Sequence, residues 1–135
     1  MNSHFYHIQV NVNLEKNRQF YKDLMDFMGW SIIFEEGDVV GYKSKTNGDL
    51  WFYDVKDKPQ QDYDSIGMNH IGLRVDELKN IDEIMEMLKK KGTRMLFDTP
   101  RHRPEFSSDP THTYYQIMFE SPDKILFEIV YIGPK

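Results

Sequence analysis

Three side chains stand out for the chemistry they could do: His7, His70 and Glu128. The two histidines head stretches that read as copies, HIQVNVNLEKN over residues 7–17 and HIGLRVDELKN over 70–80. The offset is 70 − 7 = 63, and His, Ile, Val, Lys and Asn coincide at it. An imidazole can bind a metal or move a proton, and the repeat delivers two of them to equivalent places. Glu128 is conspicuous for another reason, standing between Phe127 and Ile129 in an otherwise apolar run. A lone buried carboxylate there costs several kcal/mol unless it is paired or coordinated. The sequence has no cysteine, so it offers neither thiolate chemistry nor a disulfide framework, in keeping with a reducing cytoplasm.

The repeat extends into the elements that must position these groups. Gly29 falls on Gly92 and Phe34 on Phe97, each 63 apart, so strand, helix and the start of the next strand are all duplicated. Such a repeat predicts two modules that bury their faces together. In the first, residues 5–13 alternate, with Ile8, Val10 and Val12 on one face and His7, Gln9 and Asn11 on the other. Asn13 can cap a helix over 14–28, with Phe20, Leu24, Phe27 and Met28 at helical spacing and Gly29 ending it. Strands at 30–34, 39–42 and 50–53 follow, separated by GluGlyAsp and AsnGlyAsp turns. The second half repeats the order: a strand at 68–75, Asp76 as cap, a helix to Lys91, Gly92, and a strand at 93–97. A loop over 98–111 with three prolines precedes strands at 113–119 and 125–131, which a SerProAspLys turn joins. The prediction is an α+β fold of two tandem βαβββ modules, one domain over 1–135. Module one spans 4–55, a polar linker 56–67 and module two 68–133.

Composition narrows the function. At 135 residues the chain is one ordinary domain, and each half would be marginal alone. A net charge of −5 argues against a nucleic-acid surface, and the lysines at 89–91 suit a helix C-terminus. No apolar run approaches the roughly 20 residues that span a bilayer, and the N-terminus lacks the pattern of a signal peptide. The expectation is a cytoplasmic protein with a small-molecule partner.

Two βαβββ modules, a His in the first strand of each, and a SerProAsp turn leading into a strand with an internal Glu resemble the glyoxalase/bleomycin resistance/dioxygenase family, the vicinal oxygen chelate superfamily. The likeness covers essentially the whole chain. ProGluPhe at 104–106 followed by TyrTyrGlnIleMetPheGluSerProAsp is similar to a pattern in many small glyoxalase-like proteins. The resemblance implies a cupped mixed sheet with helices outside and up to four metal ligands inside the cup, at His7, Phe52, His70 and Glu128. Three of these can bind a metal. Two imidazoles and a carboxylate are the ligand set of non-heme Fe(II) oxygenases, and Zn, Mn, Ni or Co can also occupy it. Phe52 departs from the glyoxalase pattern and leaves Glu128 as the base. It is read as a wall against a flat substrate or as a core aromatic, and a slip of one residue would substitute Trp51 or Tyr53.

Extradiol ring-cleaving relatives add a His and a Tyr near the metal. His112, Tyr114 and Tyr115 lie 16, 14 and 13 residues before Glu128 and are the acid/base candidates here. One of the two tyrosines must face away from the cup, because strand neighbours alternate. The 101–106 loop could present Arg101 or Arg103 to an anionic substrate group. The leading expectation is a metalloenzyme whose cation acts as a Lewis acid on a small oxygen-chelating substrate, with His7, His70 and Glu128 as ligands. Glu128, Tyr115 and His112 would then be catalytic, and Phe52, Arg103 and Tyr114 would contact substrate. The competing expectation is a non-catalytic binder of the bleomycin resistance type, with Trp51, Phe52, Tyr53, Tyr114 and Tyr115 lining an aromatic cleft. The resemblance also implies a homodimer.

Overall fold

A computed structural model of the chain describes residues 1–46 and 48–135. Asn47, which opens the expected AsnGlyAsp turn, lies outside the described residues. The chain forms two compact units, Met1–Gln60 and Gln61–Lys135, divided inside the expected linker.

In unit one, β1 (His7–Val12), α1 (Leu14–Phe27), β2 (Ser31–Glu36), β3 (Val39–Lys43) and β4 (Asp49–Asp54) form a four-stranded sheet of order β1-β4-β3-β2. β1 and β4 run parallel, and the other pairs are antiparallel. The Asn13 side chain caps α1 by accepting the Lys16 N–H at 3.1 Å. The buried stripe of α1 differs from the expected one. It is Leu14, Tyr21, Leu24 and Met25, while Phe27 is half exposed. The Tyr21 ring decides this, stacking on Phe52 at 4.5 Å.

Unit two repeats the plan with β5 (Ile71–Val75), α2 (Leu78–Lys90), β6 (Arg101–His102), β7 (His112–Glu120) and β8 (Leu126–Pro134), in the order β5-β8-β7-β6. β5 and β8 are the parallel pair. The duplicated glycines carry the same geometry, with φ of +82° at Gly29 and +80° at Gly92, the left-handed conformation that ends helices. Two expectations fail here. The cap of α2 is Glu77 rather than Asp76, in a capping box with Asn80, whose side chain accepts the Glu77 N–H at 3.0 Å. The strand expected over 93–97 is absent, and the partner of β7 is the two-residue β6 instead. Phe97 and Asp98 both have φ of +57°, which no strand accommodates, so the structural equivalence of Phe34 and Phe97 lapses there.

In each unit one face of the sheet packs on its helix. That face carries Val10, Val12, Tyr42, Leu50 and Phe52 in unit one, and Ile71, Leu73, Ile117, Phe119, Phe127 and Ile129 in unit two.

Candidate functional site

The parallel register of unit two sets Gly72 beside Glu128, and the antiparallel one sets Met118 opposite it. Because side chains alternate, Tyr114, Gln116 and Met118 of β7 share the face of Glu128 that looks away from α2. Glu128 is only 6% exposed, yet its carboxylate has three partners. Oε1 accepts from the Tyr114 hydroxyl at 2.5 Å and from Gln116 Nε2 at 3.0 Å. Oε2 faces His70 Nε2 at 3.0 Å. Among the described residues, no buried side-chain polar atom lacks a hydrogen-bond partner.

A second layer of contacts orients these groups. Arg103 Nη1 donates to Gln116 Oε1 at 3.1 Å, and its Nε donates to Glu105 at 2.5 Å. Its guanidinium lies over the Phe106 ring, whose edge meets Tyr114 at 5.3 Å. Burial raises the Tyr114 phenol well above the ordinary range, the hydrogen bond and charge of Glu128 add to this, and only Arg103 opposes it. Tyr114 therefore stays a proton donor toward the carboxylate.

Asn69 fixes the ring of His70. Its Nδ2 donates to the Tyr63 carbonyl at 2.8 Å, so its Oδ1 is the atom facing His70 Nδ1 at 2.8 Å. An amide oxygen only accepts, so Nδ1 carries a proton, and in the neutral ring Nε2 turns its lone pair toward Glu128. In that form two acceptors face each other at 3.0 Å. Such a pair, one imidazole nitrogen and one carboxylate oxygen, would suit a divalent cation. A second carbonyl-type acceptor holding Nδ1–H is also the usual support of a metal-bound histidine. His70 and Glu128 thus fit as two ligands of a divalent ion. Among the described residues no three His, Asp or Glu side chains form a metal-holding group.

The other expected site residues are distributed as follows. His7 opens β1 on the face with Gln9 and Asn11, exposed, its ring edge-on to Tyr6 at 5.0 Å. Phe52 is a correction: it is fully buried between Tyr21 and Tyr42 on the helix face and cannot wall a substrate site. Its neighbours Trp51 and Tyr53 take the opposite face, and the Trp51 ring lies flat across Gly41, where an added Cβ would meet it at 2.6 Å. Phe34 flanks that ring at 5.9 Å. Tyr115 is also corrected, since it points to the helix side of unit two and lies tilted against the His102 ring at 4.6 Å. His112 pairs with Pro134, six residues along β8 from Glu128, and its Nδ1 contacts Asp109 at 3.0 Å. Of the loop arginines, Arg103 reaches the carboxylate network. Arg74, on β5 with Gly72, donates to the Ile132 carbonyl at 2.8 Å.

Sequence reasoning missed Gln116 and Asn69. Gln116 had a signal, lying two residues from Tyr114 on an alternating strand. Asn69 had none, because its role depends on Tyr63 arriving from the linker.

A family model described as the Glyoxalase/Bleomycin resistance protein/Dioxygenase superfamily matches residues 4–129. The chain belongs to that superfamily. Among its relatives, the uncharacterised protein YqjT of Bacillus subtilis (strain 168) is 26% identical over 129 residues, covering 93% of this chain and 96% of YqjT. A glyoxalase-like protein of Bacillus halodurans superposes with a TM-score of 0.75 at 25% identity over 94% of both chains. Oxidase ChaP-H2 shares the fold, with a TM-score of 0.64 at 18% identity, over 97% of this chain and 94% of that one. The superfamily includes glyoxalases and dioxygenases, and the tandem βαβββ architecture is the one found here. No helix among the described residues is long and apolar enough to cross a membrane.

Proposed function

We propose that this chain is a metal-dependent enzyme of the vicinal oxygen chelate type, acting on a small substrate that offers oxygen ligands, with His70 and Glu128 holding the divalent cation. One observation carries the reading: Asn69 holds the Nδ1–H of His70, and in the neutral ring Nε2 then faces Oε2 at 3.0 Å as a second lone-pair donor. A bound cation would supply a Lewis acid that stabilises negative charge on a substrate oxygen. Around it, Glu128 would accept a substrate proton, and the Tyr114 hydroxyl, bonded to Oε1, would return one. Gln116 and Arg103 act through Glu128 as positioning residues, because the Arg103 guanidinium is already engaged by Glu105, Gln116 and Phe106. His7 is a candidate ligand on the 63-residue repeat and the superfamily pattern alone.

Elemental analysis and calorimetric titration with Mn, Fe, Ni and Zn test the reading on the wild type and on His70→Ala, Glu128→Gln and His7→Ala. The expected result is near-stoichiometric metal that is lost in the first two variants while their circular dichroism is unchanged. Absence of metal after reconstitution with all four ions would overturn it. Binding of an aromatic compound on unit one would then gain weight, supported by the half-buried Trp51 lying across Gly41 beside Phe34.

A further inference from the structure

The loop after β6 has a second side that the Glu128 network does not use. A cavity of about 850 Å³ lies in unit two, lined by Leu78 at the start of α2, by Pro104 and Pro110, and by His102, His112 and Lys135 among others. Neither Glu128 nor its partners His70, Tyr114 and Gln116 line it. Its volume falls within the roughly 300–1,000 Å³ of small-molecule sites, which pair an apolar wall with a few placed polar groups.

The polar groups of this cavity have a definite character. The one acidic side chain lining it, Asp109, is already committed. Its Oδ1 accepts the Thr111 N–H at 2.7 Å and the Thr111 hydroxyl at 2.6 Å, and faces His112 Nδ1 at 3.0 Å. These bonds hold the carboxyl well below the usual carboxylate range, so Asp109 is ionised with its Oδ1 already engaged. His102 is anchored in the same way, through Nδ1 to the Thr113 hydroxyl. Both rings are therefore fixed by Nδ1, and among the described residues neither Nε2 is given a hydrogen-bond partner. Lys135 adds an ammonium group, its backbone N–H fastened to the Thr111 carbonyl at 3.0 Å. Two prolines and a leucine supply walls that lose little side-chain freedom when covered.

We infer that this cavity is a second small-molecule site, sharing no side chain with the Glu128 network, that takes a ring-bearing carboxylate: its apolar body lies on Leu78, Pro104 and Pro110, and its acid group meets Lys135, the Nε2–H of His102 and the imidazolium form of His112, whose Nδ1–H Asp109 holds. The chain carries a net charge of −5, which opposes anions in general, so an anion held here is held by this local cluster. The inference gives His112 a role in binding, away from the carboxylate where sequence spacing had put it. It is independent of the metal reading, since the two sites share no side chain.

The test follows the five histidine ring resonances by NMR while 2-naphthoate is titrated into the full chain, with the neutral 2-naphthalenemethanol in parallel. Expected are saturable shifts at His102 and His112, binding by the alcohol at least about tenfold weaker, and a similar loss in His112→Gln and in Leu78→Trp, which fills the cavity. Backbone amide spectra of the variants establish that they fold. Equal affinity for the alcohol, unchanged binding in both variants, or shifts confined to His70 would each overturn the inference.

Discussion

Replacing Glu128 by alanine and by glutamine should have very different effects on the fold and the same effect on metal. Alanine strands Gln116, which is 3% exposed and loses the acceptor of its Nε2. A buried donor left unpaired costs about 1–3 kcal/mol, and the lost methylene adds about 0.8 kcal/mol. Tyr114 is half buried, so its hydroxyl can find water and adds little. The expected loss is about 2–4 kcal/mol. Glutamine keeps the volume and an oxygen for Tyr114 and Gln116, and its amide NH2 then meets the lone pair of His70 Nε2, turning a facing pair of acceptors into a hydrogen bond. Glu128→Gln should lie within about 1 kcal/mol of wild type, or above it. Urea unfolding followed by far-ultraviolet circular dichroism is the assay, because both tryptophans, Trp30 and Trp51, sit in unit one and do not report on unit two. Cation at a hundredfold excess over Kd should stabilise the wild type by about 2.7 kcal/mol and neither variant. A loss above about 2 kcal/mol in metal-free Glu128→Gln would show a charge-assisted pair between an imidazolium and Glu128. That result would refute the tautomer on which the metal reading rests.

Three further outcomes follow from the same geometry. Phe52→Ala should cost about 3–5 kcal/mol, as for any buried phenylalanine, and a loss under about 1 kcal/mol in urea unfolding would mean that the ring is not core. Tyr63, which donates to Glu120 at 2.6 Å, has its pKa pushed up to about 12, chiefly by that hydrogen bond. A raised phenol pKa stabilises the fold below the unfolded value, so the stability difference between wild type and Tyr63→Phe should be constant below pH 10.0 and shrink toward pH 12; a difference that persists to pH 12 counts against the bond. Asp109, held low by Thr111 and His112, works in the opposite sense. The difference between wild type and Asp109→Asn should be complete above pH 3.8 and close as pH falls below it, and a gap closing near neutrality would contradict the assignment.

The sequence by itself determined the modules, both helices, the helix-ending glycines and the face that His7 shares with Gln9 and Asn11. Each of these is local: alternation, helical spacing and a left-handed glycine are decided within a few residues of chain. It also singled out Glu128, since a carboxylate in an apolar strand must find partners wherever it folds. Tertiary structure decided who those partners are. Whether Phe52 or its neighbours face the helix depends on register against β1 and β3 and on the Tyr21 ring, and a slip of one residue inverts the answer. Tyr114 rather than Tyr115 meets Glu128 for the same reason, through the pairing of β7 with β8. His112, six positions along that ladder, is carried away from the site, and Asn69 fixes the His70 ring only because Tyr63 supplies a carbonyl from the linker. Spacing along a chain measures distance within one strand. Which atoms meet across strands is set by register and by side chains that arrive from elsewhere.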